Sequence, residues 1–147
     1  MDELKRLRDV LHEEIPLTRA MGVEVDSYDG NCLVLAAPLD LNTNHKSTAF
    51  GGSLYSLAVL TGWGLLYLKL QQRDVGAHIV IRQSHIDYIR PVTQDMRALC
   101  CFESEQQVNT LLRNYHSKNM AAVRLTAMIR QDEHEAVLFS GKYVIHK

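Results

Sequence analysis

A chain of 147 residues, 46% of them hydrophobic, is long enough for one domain around one core and too apolar to stay disordered. Sixteen basic against seventeen acidic side chains leave a net charge of −1, and no basic cluster exceeds Lys5-Arg6-Leu7-Arg8, which excludes the electrostatic footprint of a nucleic-acid binder. The opening Met1-Asp2-Glu3-Leu4-Lys5-Arg6 is too charged for the apolar core of a secretory leader, so a cytoplasmic chain is expected.

In chain order, Leu4, Leu7, Leu11 and Ile15 recur at helical spacing from Asp2 to Ile15, and Pro16 marks the stop. After a turn near residues 17–20, Met21 to Ser27 alternates as a strand, Asp29-Gly30 offers hairpin chemistry, and Cys32 to Ala37 supplies the returning strand. The loop from Pro38 to Ala49 leads into a helix that is apolar on every side from Leu54 to Leu70 and ends near Gln71-Gln72-Arg73-Asp74. Such a helix is wrapped by protein or lipid; Ser56, Thr61, Gly62, Gly64 and the strand patterns around it point to protein, with no membrane span. Ala77 to Ile89 is a long β-branched strand closed by Arg90-Pro91-Val92, and Met96 to Glu103 is another. A second amphipathic helix follows over Glu105 to Lys118, with Val108, Leu111, Leu112 and Tyr115 on one stripe. Ala121 to Arg130 and Glu135 to His146 both alternate, joined by a turn at Asp132, Glu133 and His134. The expected fold is α+β: six antiparallel strands around one long central helix, with an N-terminal and one extra helix, as a single domain over residues 1–147. Cys32, Cys100 and Cys101 form neither a metal spacing nor a disulfide framework, and at least one of the adjacent pair belongs in the core.

The segment from Asn42 to Ser53 sets a polar, glycine-bearing loop at the mouth of the buried helix. A helix start carries N–H groups without intrahelical partners and a partial positive charge, so it favours an anion or a developing oxyanion. Gly51 and Gly52 allow a ligand to approach the backbone there. Phe50-Gly51-Gly52-Ser53-Leu54-Tyr55-Ser56-Leu57-Ala58 resembles the helix start of hot-dog acyl-CoA thioesterases, and Ile86-Asp87-Tyr88-Ile89-Arg90-Pro91-Val92 resembles their third strand and its turn. Asn44, Lys46 and Thr48, together with Gly62-Trp63-Gly64, are most similar to the thioesterase-like domain at the C-terminus of YiiD-type acetyltransferases. The resemblance implies a hot-dog fold, a homodimer or dimer of dimers joined through the third strand, and a ligand held between subunits. It also implies an acyl-CoA or acyl carrier protein thioester as substrate. No cofactor and no metal are expected, since His78 and His85 lack a zinc-ligand spacing.

Under that resemblance the catalytic candidates are Asn44, to place water, the N–H groups of Gly52 and Ser53, to hold the thioester oxygen, and Asp87, as a base reaching across the subunit seam. His45, Thr48, Phe50, Gly51, Ser56, Val59 and Tyr88 are the substrate-binding candidates. Five of these have a plainer reading: Asn44 as a loop cap, His45 as a solvated side chain, Ser53 as a helix cap, Ser56 as a hydroxyl bonded back to its own helix, and Asp87 as an exposed strand residue or the ion-pair partner of Arg82 or Arg90. Trp63 is read as core. Acyl-CoA thioesterases of this type carry a His before Gly-Gly and an Asp seven residues after it; here Phe50 and Val59 occupy those positions, and neither transfers a proton. Two functions therefore stand side by side, an acyl-thioester hydrolase and a non-catalytic acyl-thioester or lipid-binding protein. A dehydratase ranks below both, because no His with an acidic partner adjoins the helix start.

Overall fold

The structure is a computed structural model that describes residues 2–147. Asp2 caps the first helix, α1 (Glu3–Glu14), by accepting from the Leu4 amide at 3.0 Å, and Leu7 and Leu11 bury its apolar face. The expected first strand begins later than the alternation suggests. Met21 ends a short helix, α2 (Leu17–Met21), which Gly22 closes with φ 71, a left-handed cap that glycine adopts without strain. Strand β1 (Glu24–Tyr28) then turns through Asp29-Gly30 into β2 (Cys32–Ala37). The long helix α3 (Gly51–Gln72) follows, then β3 (His78–Tyr88), β4 (Met96–Cys101), helix α4 (Glu105–Lys118), β5 (Met120–Gln131) and β6 (His134–His146). Asp132 and Glu133 alone form the last turn, both with positive φ as a two-residue hairpin requires, so His134 opens β6 rather than sitting in the turn.

All six strands join one antiparallel sheet in the order β1-β2-β4-β5-β6-β3. Its inner face buries Leu33, Leu35, Met96, Ala98, Leu125, Ala127, Phe139 and Tyr143 against α3. That burial explains why α3 is apolar all round: of the 18-residue window long and apolar enough to cross a membrane, 61% is enclosed by the sheet and its neighbours. Tyr143 is fully buried, its hydroxyl donating to the Val59 carbonyl at 2.7 Å across the flat of Gly62. A Cβ at residue 62 would lie 2.2 Å from that oxygen, so glycine there is a packing requirement.

The cysteine expectation is corrected. Cys32 and Cys101 stand directly opposite each other in the β2–β4 register and form a disulfide on the outer face of the sheet, closing 69 residues of sequence. Cross-strand register, invisible in linear spacing, brings them together. Cys100 points the other way and is buried, with its thiol pushed up to about 12 by that burial.

Strand β3 lies at the edge of the sheet, pairing only with β6. A bulge between Ile81 and Gln83 shifts its alternation by one residue. Ile79 and Ile81 before it and Ser84, Ile86 and Tyr88 after it thus all turn toward α3, while Val80, His85 and Asp87 turn outward.

Candidate functional site

The loop before α3 is built to hold the helix start in place. Buried Asn42 donates to the carbonyls of Met21 (2.9 Å) and Pro38 (2.8 Å), and its own carbonyl receives the Phe50 amide at 2.7 Å. The Ala49 amide donates to Val92, tying the loop to the Pro91-Val92 turn. Asn44 spends its side chain inside the loop: its oxygen accepts from the amides of Lys46 (2.8 Å) and Thr48 (3.2 Å), and its nitrogen donates to the Thr48 hydroxyl at 2.8 Å. His45 is exposed at the tip beside Lys46 and Ser47, the latter with φ 65.

Phe50 occupies the cap position of α3 and offers no side-chain hydrogen bond; Ser53, expected to cap, lies three residues inside. The Ser53 and Leu54 amides both donate to the Phe50 carbonyl, at 3.0 and 3.1 Å. Among the described residues, then, the free donors at the helix start are the amides of Gly51 and Gly52, not those of Gly52 and Ser53. A short helical bond at the first turn takes the Ser53 N–H out of play, a detail that sequence does not encode.

Two exposed aromatic rings frame these donors. Phe50, 54% exposed, lies so close over Gly52 that an added Cβ would meet its ring at 2.4 Å. Tyr88, 52% exposed, donates its hydroxyl to the Gly51 carbonyl at 2.9 Å. Partial burial, with Tyr55 nearby, pushes that phenol above its ordinary range, so it remains a donor at neutral pH. Thr48, Gly51, Leu54, Tyr88 and Pro91 line a recess of about 320 Å³ at this point. Further along α3, Tyr55 bonds Ser84 across to β3 at 2.6 Å, while Ser56 and Val59 sit half-buried. The back-bonding expected of Ser56 belongs instead to Thr61, which donates to Leu57 at 2.6 Å; the Ser56 hydroxyl has no partner among the described residues.

Asp87 sits on the sheet face opposite Tyr88, so its carboxylate is turned away from the helix start of its own chain. Its partner is His85, at 3.2 Å, rather than Arg82 or Arg90. A more spacious cavity, about 700 Å³, lies toward the other end of α3. Trp63, stacked on Tyr67 at 5.5 Å and only half-buried, forms its wall, and the neighbouring imidazoles of His78 and His146 line it. No sequence motif marked this cavity; the aromatic pair Trp63 and Tyr67 at i, i+4 is the signal that could have pointed to it.

A family model described as "Putative thioesterase (yiiD_Cterm)" matches residues 4–147. Among solved structures, a protein of unknown function from Chlorobaculum tepidum is 36% identical, with a TM-score of 0.93 over 97% of this chain and 93% of that one. A thioesterase-family structure from Shewanella oneidensis is 30% identical, with a TM-score of 0.86 over 99% of this chain and 98% of that one. A more distant structure from Pseudomonas aeruginosa, 17% identical with a TM-score of 0.84, covers 97% of this chain and 94% of that one and shares the fold. The chain adopts the hot-dog fold and belongs to the YiiD C-terminal thioesterase family.

Proposed function

We propose that the protein hydrolyses acyl thioesters of coenzyme A or acyl carrier protein as a cytoplasmic homodimer, with the thioester carbonyl at the start of α3. The observation that carries this reading is the pair of unpartnered amides at Gly51 and Gly52, beside a recess that Gly51 lines and preceded by a loop held by its own hydrogen bonds. Preorganised backbone N–H groups stabilise an oxyanion without reorganising, and removing one such donor costs about 100- to 1,000-fold in rate. In this reading Asn44 acts by locking the loop, Thr48 and Tyr88 shape the recess, Phe50 flanks the carbonyl, and Ser56 and Val59 line the path of the acyl chain along α3. Asp87 reaches the reaction only across a subunit seam. The unpaired edge of β3 supports that seam, because an eleven-residue free edge presents a row of unsatisfied backbone groups that a second copy satisfies.

A second reading, a non-catalytic acyl-thioester binder, draws support from Phe50 and Val59, which put no proton-transfer group at the two positions where related enzymes carry one. Incubation with a panel of acyl-CoA and acyl carrier protein thioesters, following free thiol, separates the two. Turnover that Gly52→Val abolishes supports the hydrolase; saturable binding without thiol release supports the binder.

A further inference from the structure

The recess beside Gly51 shares a wall with a second hollow. Ile89 and Arg90 line both, and the second, of about 390 Å³, is completed by Arg130, His134 and the carboxylates of Glu133 and Glu135. The shared wall is exposed, so an extended ligand can pass over it from one hollow to the other. Arg90 is the one charged side chain that lines the recess itself. The backbone around the two guanidiniums is held firmly. The Ile89 and Arg90 amides both donate to the Ala136 carbonyl, at 2.8 and 3.2 Å. The turn that follows is bonded to the β5–β6 hairpin, the Thr93 amide donating to Gln131 at 2.6 Å and the Gln94 side chain to Asp132 at 3.2 Å. The ion pairs among the described residues are Arg8–Glu24, Arg73–Glu105, Arg97–Asp26 and His85–Asp87, so Arg90 and Arg130 have no carboxylate partner despite the two glutamates nearby.

We propose that Arg90, with Arg130, binds the phosphate of the thiol carrier whose thioester lies at Gly51 and Gly52, an inference that rests on the hydrolase reading above. Coenzyme A and acyl carrier protein present that group alike, at the end of a pantetheine arm. The arm is as long as four extended residues, roughly 14 Å. Tyr88 ties the helix start to the end of β3, and Arg130 lies on β5, two strand spacings away across β6, roughly 10 Å. A phosphate held between Arg90 and Arg130 therefore falls within one arm's length of the two amides. A guanidinium offers parallel N–H donors that match two phosphate oxygens, and such charge-assisted pairs are strong hydrogen bonds. Two arginines against two glutamates leave the hollow without formal net charge when His134 is neutral. Recognition thus rests on this two-pronged fit at short range, not on long-range attraction. Anchored at its far end, the arm holds the thioester carbonyl beside the amides of Gly51 and Gly52.

The test is kcat/KM for one acyl group carried on four thiols: coenzyme A, acyl carrier protein, 4′-phosphopantetheine and pantetheine, the last two differing only in the phosphate. Wild type is expected to prefer the phosphopantetheine thioester to the pantetheine one by about 10- to 100-fold. Arg90→Gln should lose that factor on the three phosphate-bearing substrates and nothing on acyl-pantetheine, which serves as the control for an intact fold and helix start. Arg130→Gln should show the same pattern with a smaller loss. The source of the phosphate is read from whether the Arg90→Gln loss is larger on the coenzyme A or on the carrier-protein thioester. Equal wild-type rates on the phosphopantetheine and pantetheine thioesters overturn phosphate recognition while leaving the hydrolase reading intact. An Arg90→Gln protein equally slow on all four substrates, or as fast as wild type on all four, overturns the assignment to Arg90. A wild-type protein that releases no thiol from any of them overturns the hydrolase reading itself.

Discussion

Gly62→Ala is the sharpest stability test of how α3 is held. In an exposed helix interior the change stabilises by roughly 1 kcal/mol, because alanine loses less backbone freedom on folding. Here the added carbon falls 2.2 Å from the Tyr143 oxygen and 2.5 Å from the ring carbon that carries it. The ring is fully buried and its hydroxyl is anchored to the Val59 carbonyl, so it cannot swing aside while keeping that bond. Overpacking a core costs about 1–3 kcal/mol. Leaving the buried phenol without an acceptor costs about 1–3 kcal/mol more. Once the alanine gain is offset, the expected net loss is about 3 kcal/mol, or a Tm lower by roughly 6–12 °C for a chain of this size. Urea unfolding of wild type, Gly62→Ala, Tyr143→Phe and the double variant measures it. Because Tyr143→Phe removes the nearest atom, the two changes should couple by about 1–2 kcal/mol in the favourable direction. A Gly62→Ala protein as stable as wild type, or more so, would refute the packing argument.

Gly52→Val should remove thioester binding while leaving the unfolding midpoint within about 1 kcal/mol of wild type, since its neighbour is only the exposed Phe50 ring; a protein that fails to fold would instead assign Gly52 to packing. Asn44→Ala should lower the single-turnover rate about 100-fold by loosening the loop under the two amides, and more than Asp87→Asn does; equal, full rates would remove Asn44 from the site. The native protein should show no thiol reactive to an alkylating reagent near pH 8, and one, Cys100, after unfolding without reductant: burial raises its thiol to about 12, so the reactive thiolate forms only once the core opens. Sedimentation at micromolar concentration should give a dimer, and a stably folded monomer would remove the shared site.

Much of the fold was legible because its periodicities are unambiguous. Residues 121–130 alternate without a break, α4 runs over the residues that its apolar stripe marks, and a helix apolar on every side had to lie inside a sheet. What sequence missed are contacts between segments far apart in the chain. Cys32 and Cys101 become neighbours only through the β2–β4 register, and Trp63, read as core, reaches a cavity because β3 leaves the edge of the sheet open beside it. At the helix start, the Gly-Gly pattern located the free donors but assigned one of them a residue too late, since the first-turn bond to the Phe50 carbonyl is a matter of local geometry. Asn44 was placed correctly in the loop, yet only the hydrogen-bond partners reveal that both ends of its amide are already engaged there.

The bulge in β3 bears on which strands can ever attach to that edge. A regular foreign strand meets a straight stretch on either side of residues 81–83, too short on its own for a lasting ladder, and loses register at the bulge. A second copy paired there as proposed above, with the two bulges opposite each other, would bring the same irregularity in reverse order, so that the kinks compensate. Under that pairing, an edge that would otherwise invite aggregation becomes selective for its own sequence.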